Sequence, residues 1–175
     1  MAEVTDGTES LRKQSLQTRS FQTQLLNFNP HPASEFEWED LLVRIETMPR
    51  VLHVTLEEAG TDHPRVRLLV EELAARESRA SEFLEAAAGR AEGWSVSPTG
   101  APDDPHAESA SHRFARMRAR NFAMVQRRGI EVWGWRADSG EGPGPTVHQL
   151  MEYLAEGDVE SLALIRAAAG EADAC

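Results

Sequence analysis

Thr146–Ala169 reads TVHQLMEYLAEGDVESLALIRAAA, and this stretch decides the fold. Val147, Leu150, Met151, Leu154, Leu162 and Ile165 recur at the spacing of a helix with one buried face. The breaker run GEGPGP (140–145) stands before it, and Thr146 is placed to cap the first turn. Two positions on the inward face, Gly157 and Ser161, carry small residues where a functional site would want imidazoles.

Working outward, Ser139–Pro145 predicts a flexible turn, and Ser109–Asp138 a third helix bearing Phe114, Met117, Phe122, Met124, Val125, Ile130, Val132 and Trp133. Gly129 interrupts that pattern. The helix therefore either runs on or ends near Arg128, with Ile130–Trp135 as a separate apolar segment. Arg90–Glu108 contains Pro98, Pro102 and Pro105, and reads as a lid or a disordered connector. Before it, Val66, Leu69, Val70, Leu73, Ala80, Phe83 and Leu84 mark a second helix. Asp62 is its candidate N-cap, Pro64 stands in its first turn, and Gly89 stops it. Arg76 and Glu77 are assigned to its solvated face.

A first helix follows from Ser34 with Trp38, Leu41, Leu42, Ile45, Met48, Leu52 and Leu56, and ends at Gly60. Pro49 predicts a kink or break near Met48. Residues 1–34 are polar and read as a mobile arm, with Phe21–Phe28 as a short element packed on the body or on a second subunit. The expected organisation is an arm over 1–34, an all-α four-helix bundle over 35–170 and a disordered tail over 171–175.

A chain of 175 residues with 41% hydrophobic content can bury one ordinary core. Its 29 acidic against 18 basic residues give a formal charge of −11. That balance argues against nucleic acid, which needs a basic surface to displace counterions, and against anionic lipid. Lys13 is the only lysine, a bias that resembles high-GC bacterial coding. Cys175, the only cysteine, can form neither an internal disulfide nor a multi-cysteine zinc site. No leader or long apolar run is visible, so the cytoplasm is the expected compartment.

Local chemistry is sparse. There is no G-x-S-x-G elbow, and GEGPGP lacks the strand and lysine of a phosphate loop. His31, His63 and His106 lie beside prolines, while His53, His112 and His148 fall on different helices without ligand spacing. A site built from His53 and His148 requires the fold to bring them together. Arg113, Arg116, Arg118 and Arg120 read as a solvated face that pairs with acidic helices. Trp133 and Trp135 are the candidate pocket-lining aromatics.

TMPRVL (47–52), LVEELAARE (69–77), FARMRARNFAMV (114–125) and the closing TVHQLMEYLAEGDVESLALIR resemble, in that order, the DinB/YfiT-like superfamily of four-helix bundles. The resemblance covers about residues 41–169. It implies an up-down-down-up bundle and a group of metal-dependent hydrolases and thiol transferases. It further implies three histidine ligands for a divalent metal, one from the second helix and two spaced by four on the last. At those positions this chain has Glu72, Gly157 and Ser161; Asp158 is kept, and Glu77 matches the family's acidic residue.

The resemblance with these departures implies a member that has lost its metal site. Such a protein would have no cofactor and would act as a small-molecule-binding or protein-interaction bundle, with a homodimer as one arrangement. GWSV (93–96) matches a family element by composition but follows the second helix, where the family has it before. The alternative is a divergent metal-dependent thiol transferase or hydrolase in which Glu72, Asp158 and Ser161 hold a hard cation through oxygen.

Overall fold

The computed structural model describes residues 20–59, 63–89, 109–137 and 143–172. Expectations for residues 1–19, Gly60, Asp62, the stretch 90–108 with its GWSV and His106, the turn at 138–142 and Cys175 lie outside the described residues. The chain is all-α. The described residues form four long helices: α1 (Glu35–Ala59), α2 (Pro64–Ala88), α3 (Ala110–Gln126) and α4 (Val147–Ala172). A 3-10 turn covers Gly129–Gly134, and residues 20–25 are helical. Among the described residues no strand forms; Arg136 and Thr146 make one isolated bridge. No helix among them is long and apolar enough to cross a membrane.

Local chemistry sets the boundaries. Ser34 Oγ accepts from Glu37 N at 3.2 Å, and Ser109 Oγ from His112 N at 3.3 Å; these bonds cap α1 and α3. Gly129 takes a φ of 64°, a left-handed conformation that costs glycine little. The third helix therefore stops at Gln126, and the apolar 130–135 segment folds as a separate turn. The expected tail begins too early, because α4 continues to Ala172.

Pro49 does not break α1, which is helical throughout. A proline has no N–H, so the carbonyl one turn back, at Ile45, loses its helical partner. That carbonyl faces the interior, where the Arg118 side chain takes up the bond at 3.4 Å.

Each helix packs on two others: α1 on α4 and α3, and α2 on α3 and α4. Two apolar clusters result. The first holds Trp38, Leu41 and Ile45 of α1, Ala80, Phe83, Leu84 and Ala87 of α2, Val125 of α3, and Val147, Leu150, Met151, Leu154 and Ala155 of α4. The second holds Met48, Leu52 and Leu56, then Val66, Val70, Leu73 and Ala74, then Phe114, then Ile165 and Ala168. Chain order through the clusters gives the directions: α1 and α4 run from the first to the second, α2 and α3 the other way.

The described part of the expected arm, residues 20–34, is docked on the body. Phe21 and Leu25 are buried in the first cluster, and Phe21 and Phe28 meet the Tyr153 ring edge-on at 5.5 and 6.0 Å. The start of α4 holds the following backbone. Thr146 and Gln149 form a capping box: Gln149 N donates to Thr146 Oγ1 at 3.2 Å, and Thr146 N to Gln149 Oε1 at 2.8 Å. The same two side chains donate outward, Thr146 Oγ1 to Pro30 O and Gln149 Nε2 to Phe28 O, both at 2.8 Å. Asn29 N donates to Glu152 Oε2, and His148 Nδ1 bonds Asn29 O, each at 2.9 Å.

Candidate functional site

Between the two apolar clusters lies a polar layer. Arg118, 1% exposed, projects from α3 into the interior, where Glu77 of α2 (0%) and Asp158 of α4 (4%) meet it. Its Nε donates to Glu77 Oε1 at 2.8 Å. Its Nη1 and Nη2 form a bidentate pair with Asp158 Oδ2 and Oδ1 at 2.7 and 2.9 Å. The remaining carboxylate oxygen, Glu77 Oε2, accepts from Asn121 Nδ2 at 2.9 Å, and Ser81 Oγ donates to Asn121 Oδ1 at 2.6 Å. The Phe114 ring, one turn before Arg118, lies under the guanidinium with Cζ 5.0 Å from its centroid.

Electrostatics fix the charge of Arg118. Burial works to lower the Arg118 pKa, but the attraction of Glu77, then that of Asp158, and the hydrogen bonds to both outweigh it. The pKa rises above an already high ordinary value, so the guanidinium is charged at every pH the fold meets. A group whose pKa is raised on folding stabilises the fold at all pH below its ordinary range, and loses that contribution only above it. Burial of each ion costs several kcal/mol, which the paired geometry and hydrogen bonds offset. The layer can do little chemistry. Arginine is a poor proton carrier here, and every oxygen of the two carboxylates already accepts a hydrogen bond.

Three readings from sequence are corrected. Glu77 is not solvated but buried at the centre, and Arg118 is not on the outer basic face. That face is real for its neighbours: Arg113 pairs with Glu71, and Arg120 with Glu85 at 2.7 Å. Arg76 is half-buried rather than solvated. It lies over the Tyr153 ring at 5.6 Å, and its Nη1 is buried without a hydrogen-bond partner among the described residues.

The positions suggested by the resemblance are brought together in part. Gly157, Asp158 and Ser161 share the inner face of α4 and are buried, and α2 packs on that helix. Glu72 does not join them; it is exposed on α2. The space that Gly157 leaves is taken by Arg76, whose Nη1 would lie 2.0 Å from a Cβ there. Ser161 Oγ is turned to its own helix and donates to Gly157 O at 2.7 Å. Asp158 is committed to Arg118. These residues do not fit a divalent cation, and among the described residues no three His, Cys, Asp or Glu side chains gather as a metal site.

The histidine pair is also kept apart. His53 is exposed beside Glu57 at 3.3 Å, on the part of α1 that borders the second cluster, whereas His148 is buried against Trp38 of the first. Trp133 and Trp135 are half-buried against the first cluster. Trp133 is edge-on to Trp38 at 6.3 Å, and Arg128 lies over Trp135 at 5.6 Å.

Sequence reasoning placed Arg118 and Glu77 on solvated faces, although a signal for their burial was present. Phe114, Arg118, Asn121 and Val125 are spaced by four, three and four, as are Leu73, Glu77, Ala80 and Leu84. Charged residues at inward register are buried when opposite charges on other helices share their level. No protein-family model, curated protein or solved structure matches this chain.

Proposed function

We propose that this chain is a four-helix bundle of the DinB/YfiT-like type in which an internal guanidinium holds the place of a divalent cation. On this reading it works as a metal-free protein-interaction module rather than a catalyst. One observation carries the proposal. Glu77 and Asp158, the two acidic residues that the resemblance retains, are bridged by Arg118 at 2.7–2.9 Å, and each of their four oxygens already accepts a hydrogen bond. Arg76 in the notch over Gly157 removes the small-molecule cavity that Gly157 and Ser161 suggested. The surface is what remains to act.

Elemental analysis of untagged protein tests this directly, with less than about a tenth of a metal per chain expected. Stoichiometric zinc, nickel or manganese that is lost on Glu72→Ala would instead favour the alternative, an oxygen-ligated thiol transferase or hydrolase. A sharper test removes the internal cation. In Arg118→Ala the oxygens of Glu77, Asp158 and Ile45 are freed, a donor set suited to calcium or manganese. The melting temperature of that variant should rise with millimolar calcium while the wild type does not respond.

A further inference from the structure

α1 and α4 leave an open groove of about 250 Å³ lined by Arg50, Val51, Val54, Thr55, Glu58 and Arg166. Val51 and Val54, 39% and 45% exposed, supply its apolar floor. Arg50 reaches the groove from α1 and Arg166 from α4, so each wall carries a guanidinium. Arg166 Nη2 donates to Thr55 Oγ1 at 3.5 Å, which turns that side chain toward α1. Neither arginine has an ion-pair partner among the described residues, whereas Arg113, Arg118 and Arg120 of α3 are all paired. Two arginines against Glu58 leave the lining at plus one, on a chain whose total is −11.

We infer that this groove docks an acidic peptide segment of another protein, one that carries aliphatic side chains between carboxylates. The chemistry of the lining selects that occupant. Aliphatic side chains cover Val51 and Val54 and remove them from water. Carboxylates on either side accept from Arg50 and Arg166, since a guanidinium offers parallel N–H donors that match a carboxylate. A basic segment would set its own cations against both arginines. A free small molecule fits less well, because the volume lies below the about 300–1,000 Å³ of pockets that enclose one, and this groove is open. Glu58 repels a carboxylate in its own part of the groove, which limits where the acidic residues can stand. The charges are exposed, so each pair is weak, and a short segment binds with a dissociation constant on the order of a millimolar. The inference rests on the reading of this chain as an interaction module, and it names the chemistry of the partner.

An NMR titration of the isotope-labelled full chain tests it, with the capped tetrapeptide Glu-Leu-Leu-Glu as probe up to about 10 mM in about 50 mM salt. Signals of Val51, Val54 and Thr55 should shift and approach saturation. Gln-Leu-Leu-Gln keeps the leucines and loses the charge, and should bind about threefold more weakly or worse; Lys-Leu-Leu-Lys should be weaker still. Arg50→Gln and Arg166→Gln should each weaken Glu-Leu-Leu-Glu about two- to fivefold. Val54→Asp should abolish its binding, because a carboxylate then stands on the apolar floor. Arg67→Gln, which removes a positive charge from α2 outside the groove, should change nothing. All four positions are exposed, and circular dichroism of each variant checks the fold. The inference is overturned if Glu-Leu-Leu-Glu shifts no groove signal at the highest concentration, or if Gln-Leu-Leu-Gln binds as well. Tighter binding of Lys-Leu-Leu-Lys, which would put Glu58 in charge of the groove, also overturns it, as does unchanged binding in both arginine variants. A metal-loaded chain that takes the acidic peptide would overturn the functional reading alone, and a metal-free chain that does not take it this inference alone.

Discussion

The apolar clusters at either end of the helices and the charged layer between them obey one geometric rule and opposite energetic ones. Leu154, Asp158, Ser161 and Ile165 of α4 repeat the four-three-four spacing seen in α2 and α3. The backbone presents all of these positions inward, and residue type decides what burial then costs. An apolar side chain gains about 1.5–3 kcal/mol on leaving water and accepts many neighbours. A charge loses several kcal/mol and accepts only its partner, in one geometry. The clusters therefore supply stability, and the layer supplies alignment. A one-turn slide of α3 would still leave Phe114 and Val125 near apolar side chains, but it would strand Arg118 away from Glu77 and Asp158.

Removing the cation should break the layer most sharply. Arg118→Met leaves two carboxylates in the interior without a counter-charge, at a cost of about 3–5 kcal/mol. Leu150→Ala in the first cluster should cost about 2–5 kcal/mol, by a different route, through lost contacts and a cavity. Urea denaturation gives both values, and acid separates them. Lowering the pH neutralises the stranded carboxylates, so Arg118→Met should recover part of its loss relative to wild type, while Leu150→Ala should not. If Arg118→Met cost less than about 1 kcal/mol, the layer would not be the sealed ion-pair network described above.

Replacing the whole layer gives the opposite sign. Glu77→Leu, Arg118→Met and Asp158→Leu together remove every charge of the layer, and the triple variant should be neutral or more stable by about 1–4 kcal/mol. Sharp, dispersed amide resonances in the triple variant would show that alignment does not depend on the ions. Broadened resonances despite a raised melting temperature would show that it does.

How far the sequence could be read follows the same division. The clusters were legible because leucine, valine and phenylalanine at three-and-four spacing have one stable destination, and the all-α assignment rests on them. The layer was not, because a lone glutamate or arginine on a helix is ordinarily solvated. Only the coincidence of three such residues at one level of three helices makes burial possible, and that level is a tertiary fact. Pro49 was read as a kink or break in α1; its consequence lies across the interior, where the freed Ile45 carbonyl meets Arg118. Of the candidate site, Asp158, Gly157 and Ser161 face inward, while Glu72, one residue from the inward Leu73, is turned to solvent.

The seam between α4 and residues 28–30 sets a smaller scale. It was not legible as a contact, since the backbone it binds carries no side-chain signature, although T-x-x-Q at Thr146–Gln149 signals the cap. Gln149→Leu removes half of the capping box and the bond to Phe28 O, and should cost about 1–2 kcal/mol. Hydrogen exchange locates the effect: amides of 20–30 should lose protection before those of α2. Uniform loss over all helices would mean that this segment is as integral as the apolar clusters.

Gly157→Ala should have the smallest effect, and its sign tests how the notch is filled. A Cβ at this position overlaps only the end of the Arg76 side chain, the flexible tip of a half-buried residue. Alanine gains about 1 kcal/mol of helix propensity over glycine. The displaced guanidinium gives up its contact with Tyr153, about 0.5–1 kcal/mol, but its buried Nη1 also regains water. These contributions nearly cancel, so the change should lie within about 1 kcal/mol of zero and lean toward stabilisation. Arg76→Ala in the same background should then cost nothing further, because the contact is already gone. A loss above about 2 kcal/mol would mean that Arg76 is locked in the notch, and that the space beside Gly157 belongs to the charged layer rather than to its rim.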